Sequence, residues 1–233
     1  FNIEIHKENS YMNIEIKDIN RITLTGRIIS RDNEYEIKRA DGEAVETFYR
    51  MLLNIKRLSD TKDNLPVIIS SKFDSKEYKV GDYVTVNGII KTRNYTDSEG
   101  KNHTSVFVYA LDILCGDEVE KEDDQNSVEL TGTICKKSDM RITASGRKIT
   151  DIILAVHRTK NPRSKSDYIP CILWGKNAAE VAKLSIGTVI SVTGRFQSRY
   201  YYKNDEERVA YEVSTVSYSV ADTDDTQNTK ESE

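Results

Sequence analysis

The sequence predicts an all-β chain folded as two small closed barrels, each with one short helix. Three observations carry the prediction. Apolar and polar residues alternate in runs bounded by Gly, Asn and Asp, the mark of half-buried strands. The alanine-rich helical stretch falls between the third and fourth strands of its unit. The pattern also recurs: Asn20 and Leu24–Gly26 return as Asn126 and Leu130–Gly132, 106 residues on. Gly81 returns as Gly187, Gly88 as Gly194, and Arg93-x-Tyr95 as Arg199-x-Tyr201 at the same offset, while Pro66 stands opposite Pro170 at 104. The organisation expected is an extension (1–19), a first unit (20–116), an acidic linker (117–125), a second unit (126–220) and an acidic tail (221–233).

The elements follow in order. Residues 1–19 alternate weakly through Ile3, Ile5, Ile14 and Ile16, as an edge strand or a mobile arm. In the first unit, "NRITLTGRI", "GEAVETFYRMLLNIKR", a strand around Pro66 and "VGDYVTVNGIIKTRNY" read as strands, with a short, weakly apolar helix at "KFDSKEYK". In the second, "SVELTGTIC" has period 2, and "KITDIILAVHR" follows a turn at Ser145-Gly146. Then come "YIPCILW", a helix from about Asn177 to Leu184, and a long hairpin of "GTVISVTGRFQSRYY" and "RVAYEVSTVSYSV" about "KNDEE". Five strands and one helix per unit suit a small closed barrel.

The net charge of −4 is unevenly spread. Residues 126–220 carry 15 Lys/Arg against 9 Asp/Glu, a net of +6, whereas 20–116 are close to neutral. The acids gather in 117–125 (net −5) and 221–233 (net −4). A basic module with acidic attachments differs from an acidic protein, because an electrostatic footprint is local. Apolar runs are too short for a membrane-spanning helix, and the opening is not a signal peptide; the absence of an initiating Met suggests a trimmed or partial chain. Cys115, Cys135 and Cys171 are far apart and read as reduced thiols of a cytosolic protein.

Within "SDYIPCILWGKNAAEVAK", Tyr168 and Trp174 stand six apart on one face of a strand. A core would explain that spacing, and so would a platform for flat ligands. In "RYYYK", Tyr200 and Tyr202 oppose Tyr201 if the strand is regular, so one face is expected to pack; a bulge would reverse this. The basic loop "HRTKNPRSK", with Arg158, Lys160, Arg163 and Lys165, joins strands two and three, where such barrels embrace ligands; a solvated loop is the alternative. Arg195 and Arg199 share one strand face. No Gly-rich phosphate loop, HxxxH pair or nucleophile elbow occurs, which argues against an enzyme.

The segments "GRKITDIILAVHR", "SDYIPCILWGKNAAEVA", "GTVISVTGRFQSRYY" and "AYEVSTVSYSV" resemble, in strand order, the bacterial and phage single-stranded DNA-binding protein family. The first unit resembles it more distantly, through "NRITLTGRI", "GEAVETFYRMLLNIKR" and "VGDYVTVNGIIKTRNYTDSEGK". The resemblance implies a tandem OB-fold of five-stranded Greek-key barrels. It also implies binding of single-stranded DNA in replication, recombination or repair. It places base-stacking aromatics at Tyr168, Trp174 and Tyr201, with Tyr95 in the corresponding place of the first unit. Arg93 joins Arg158, Lys160, Arg163, Lys165, Arg195 and Arg199 as an expected phosphate contact; Lys176, in the "WGK" junction, is expected either to touch phosphate or only to cap local turns. The first unit departs from the pattern, with Asn64 and Ser70 opposite Tyr168 and Trp174, and so reads as degenerate. No cofactor is implied.

The expected partners are single-stranded DNA, a second copy of the chain (a homodimer with four barrels) and replication or repair proteins. The expected place is the cytoplasm of a bacterium, host or phage-infected. An assembly or adaptor protein of primosome type, or an RNA binder, is the alternative. The tail lacks bulky apolar residues after Val220 and is expected to be disordered and to compete with phosphates for the groove.

Overall fold

Alternation drives the strands into two closed barrels. In the computed structural model the described residues are 18–38, 44–57, 59, 61–71, 78–115, 124–158, 165–203 and 205–221. The first barrel comprises β1 (Asn20–Lys38), β2 (Ala44–Lys56), β3 (Lys62–Ser70), β4 (Tyr83–Thr96) and β5 (Asn102–Cys115). The second comprises β6 (Asn126–Lys137), β7 (Arg141–Ile142), β8 (Lys148–His157), β9 (Ser166–Trp174), α1 (Gly175–Val181), β10 (Val189–Lys203) and β11 (Glu206–Val220). Hydrogen-bonded neighbours run β2-β3-β5-β4-β1-β6-β10-β11-β9-β8-β7. The added pairs β1–β2 and β6–β8 close each barrel on itself, the tandem OB-fold the sequence predicts. In the first barrel β3 and β5 are parallel, Val67 facing Val108, and in the second β9 and β11, Cys171 facing Val213.

Period-2 patterning decides what is inside. Val84, Val86 and Ile90 of β4, and Ile152, Leu154 and Val156 of β8, are buried, while their neighbours face outward. Gly88 and Gly194 sit at register shifts in the two hairpins. A Cβ at either would collide with a backbone carbonyl, that of Tyr109 or Ser214, so only glycine admits the partner strand there.

The units are joined by more than the linker. β1 pairs antiparallel with β6, and Ile22 faces Val128, its own counterpart 106 residues on. The junction is therefore a pseudo-twofold interface within one chain. Its details repeat. Asn20 accepts from Ile90 N and donates to Ile90 O, both at 2.8 Å; Asn126 does the same with Phe196, at 2.8 and 2.6 Å. The recurring asparagines are thus pins between neighbouring strands.

Several expectations need adjusting. The helix begins at Gly175 rather than near Asn177, directly after the extended Trp174. It stops at Val181 because Lys183 and Leu184 bond three residues back, to Glu180 and Val181, instead of continuing the α pattern. The second unit has a sixth, two-residue strand, β7, which pairs with β8 across the Ser145-Gly146 turn. Residues 72–77 of the expected first-unit helix, most of the linker, the tail beyond 221 and residues 1–17 lie outside the described residues, and Tyr78 and Lys79 are not helical. Among the described residues no helix is long and apolar enough to cross a membrane.

Candidate nucleic-acid interface

β9 presents Tyr168, Pro170, Ile172 and Trp174 on one face, while Ile169, Cys171 and Leu173 enter the core. The even spacing therefore makes an outward row. Tyr168 is 52% exposed. Trp174 is half-buried, and its indole N–H donates to Ser214 Oγ at 3.0 Å, which fixes the ring beside β11.

Two grooves meet at Tyr168. One, of about 580 Å³, is lined by Tyr95 and Thr104 of the first unit and by Tyr168, Tyr201 and Tyr211 of the second. Three of the four expected stacking residues thus converge from both units. The other, of about 670 Å³, is lined by Lys91, Arg93 and Phe107 of the first unit and by Arg158, Lys165 and Tyr168 of the second. Tyr95 lies on His103, with ring centres 5.3 Å apart and 22° between planes. The Arg199 guanidinium stands 5.8 Å from the Tyr201 ring centre. The Arg199–Tyr201 pair holds a ring face and a cation side by side, the combination a single strand needs.

The expected phosphate contacts divide. Arg93 and Lys165 line the basic groove. Arg195 lines a recess of about 60 Å³ with Lys56 and Ser214, beside Trp174. Lys176 is open, pairing with Glu180 at 3.5 Å. Arg199 is committed to Glu212 at 3.3 Å, a carboxylate that is itself almost sealed. Lys160 and Arg163 lie outside the described residues.

Arg158 has a structural task. Its Nε and Nη2 donate to Asp167 at 2.9 and 2.8 Å, and Nη2 reaches Thr92 O of the first unit at 3.1 Å. Arg57 and Asp63 mirror this, with Arg57 Nη2 donating to Ser198 O of the second unit at 2.8 Å. Hydrogen bonding to these carboxylates holds both guanidinium pKa values above their ordinary range, outweighing burial. Each unit's ion pair thus grips the hairpin of the other.

The "RYYYK" expectation is corrected. The strand is regular there, yet Tyr200 and Tyr202 are 55% and 74% exposed, against 37% for Tyr201. The inward face of β10 packs through Phe196 and Ser198, but the hairpin then runs past the barrel, so no core remains for Tyr200 and Tyr202.

Sequence reasoning missed Lys91, Phe107 and Tyr109. Phe107 and Tyr109 stand two apart in "SVFVYAL", with Val106, Val108 and Ala110 buried between and beside them. Their alternation is the signal, but it falls on the last strand, whereas the second unit carries Tyr168 and Trp174 on β9.

Residues 125–221 match the model of the Single-strand binding protein family. The chain is 40% identical over 88 residues to the Listeria monocytogenes "Single-stranded DNA-binding protein 2", a match covering 36% of this chain and 55% of that protein. It thus spans about half the length of that relative. It is 37% identical over 95 residues to the Bacillus subtilis "Single-stranded DNA-binding protein B", covering 39% of this chain and 82% of that protein. In fold it is similar to the wild-type single-stranded DNA binding protein of Thermus aquaticus. That alignment has a TM-score of 0.70 and 20% identity, and covers 91% of this chain and 97% of the other.

Proposed function

Because the chain belongs to the single-strand binding protein family, we propose that it coats single-stranded DNA without strong sequence preference. The observation that carries the reading is the meeting of two grooves at Tyr168, one aromatic and one basic, each built from both units. Base faces stack on the tyrosines and the phosphate chain tracks the cations, a mode that is sequence-tolerant because every base has a π face. The second unit takes the larger share, since it supplies Tyr168, Trp174 and Tyr201 and the excess of basic charge.

Such a protein protects strands exposed in replication, recombination or repair, in a bacterial cytoplasm, and catalyses nothing. Two copies would bring four barrels to one strand, and linked platforms gain avidity through effective concentration. Light scattering should then give about twice the chain mass of 26.6 kDa; a clean monomer overturns the dimer.

The test is a salt series on three probes: single-stranded DNA, duplex DNA and RNA, followed by Trp174 fluorescence. Expected is tight binding and quenching with the single strand, with log K falling by about 0.7 per phosphate neutralised for each unit of log salt. Equal binding to duplex overturns the reading. Preference for RNA reassigns the ligand, and no binding to any probe moves the chain to the adaptor class.

A further inference from the structure

In the second unit the aromatic Trp174 on β9 faces the small Ser214 on β11. In the first unit the order is reversed: Ser70 takes the place of Trp174 on β3, and Tyr109 takes that of Ser214 on β5. Register fixes the equivalence. Ile172 pairs with Ser214 across one parallel strand pair, and Ile68 pairs with Tyr109 across the other. The aromatic has changed strands. The old platform is also closed, because Ser70 is buried and Asn64 is held by Asn54 at 2.7 Å.

Phe107 extends the new row. Glu212, which holds Arg199, occupies the corresponding place in the second unit, where it faces Gln197; Phe107 instead faces Lys91. The Lys91 Nζ lies 4.0 Å from the Tyr109 ring centre. Burial first, and then the charge of Arg158, lower the pKa of this half-buried ammonium, while the Asp167 carboxylate works against them. The groove onto which Phe107 opens is lined by Lys91, Arg93, Lys165 and the Asp167-bound Arg158, and among the described residues no carboxylate lines it.

We propose that the first unit binds single-stranded DNA on a relocated platform, with Phe107 stacking a base and Tyr109 holding Lys91 against the adjoining phosphate. This rests on the single-strand reading above and reverses the view of the first unit as degenerate. Tyr168 closes the far wall of the same groove, so the strand crosses between units here rather than ending at the second.

The experiment measures affinity for an oligodeoxythymidine of about 30 nucleotides, two units' worth of site, across a salt series. Phe107→Leu keeps an apolar side chain but removes the ring, and should weaken binding about tenfold, while Phe107→Tyr stays near the parent. Lys91→Met should reduce the log–log salt slope by about 0.7. Trp174→Ala serves as the second-unit control. If Phe107→Leu and Lys91→Met bind like the parent while Trp174→Ala fails, the relocated platform is overturned and the single-strand reading stands. If the parent binds no oligonucleotide, both fall.

Crosslinking of a 5-iodouracil-substituted strand to the unaltered protein decides the matter should Phe107→Leu not fold. Attachment within the tryptic peptide 102–121 supports the proposal. Attachment confined to peptides carrying Tyr168, Trp174 or Tyr201 overturns it.

Discussion

The carboxylate of Asp167 accepts a hydrogen bond at 2.7 Å from the backbone N–H of Thr92, a residue of the other barrel. Asp63 receives the Ser198 N–H at 2.7 Å in the mirror-related place. Both carboxylates are nearly sealed, whereas Arg57 and Arg158 keep about a third of their side chains in water. The pairs therefore do two tasks: they satisfy buried charge, and they fix each ligand-facing hairpin to the neighbouring barrel.

Removing one acid leaves an arginine and a backbone donor without their partner. Asp167→Ala and Asp63→Ala should each cost roughly 3 kcal/mol, the low end for a broken buried pair, because the arginines regain water. Urea unfolding measures this. A loss below about 1 kcal/mol in both would mean that the barrels are held by β1–β6 pairing alone.

Tyr168 lines both grooves, while Tyr95 and Tyr201 line one. Tyr168→Ala should therefore weaken single-strand binding most of the three, by about 2–3 kcal/mol, with about 1 kcal/mol for each of the others. Affinity titration at one salt concentration ranks them. Tyr95→Ala as the most damaging change would place the crossing elsewhere.

Gly194→Ala and Gly88→Ala each force a methyl group into a backbone carbonyl of the partner strand, which has no rotamer to move. Each should cost about 2–3 kcal/mol, comparable to overpacking a core. Melting curves test it: a shift within error at either position would show that the hairpins open there without strain.

Burial pushes the Cys171 thiol far above its ordinary pKa, with the Glu212 carboxylate adding to the effect. Cys135 is raised too, chiefly by burial, but it is only half-buried. Since the thiolate is the reactive form, a maleimide should leave Cys171 unmodified in the folded protein while Cys135 reacts slowly. Mass spectrometry after timed labelling reads this. Modification of Cys171 at the rate of Cys135 would mean that this part of the barrel opens readily.

The alternation in "SVELTGTIC" and "KITDIILAVHR", and the offset linking Gly88 to Gly194, make two barrels legible in the sequence. So does the even spacing of Tyr168 and Trp174, because side-chain direction in a strand depends only on parity. The ion pairs were not legible. Arg158 and Asp167 are separated by a loop, and Thr92 joins them only once two barrels are docked. Arg158 therefore read as a solvent-facing phosphate contact. Tyr200 and Tyr202 misled for the converse reason: parity gives a face, but not where the barrel beneath it ends. Phe107 and Tyr109 stand as an alternating pair, but the neighbouring barrel carries its aromatics on another strand and so gives no precedent for them.

The pairing of Ile22 with Val128 has a consequence for how this molecule can change. In an assembly of identical chains, one substitution in the gene alters every copy of a surface, so an innovation must suit all positions at once. Here the two halves are written separately. The first half can exchange Ser for Trp on β3, and Tyr for Ser on β5, while the second keeps its arrangement. Tandem fusion turns a symmetric scaffold into one whose two faces are free to specialise, each sheltered by the stability of the other.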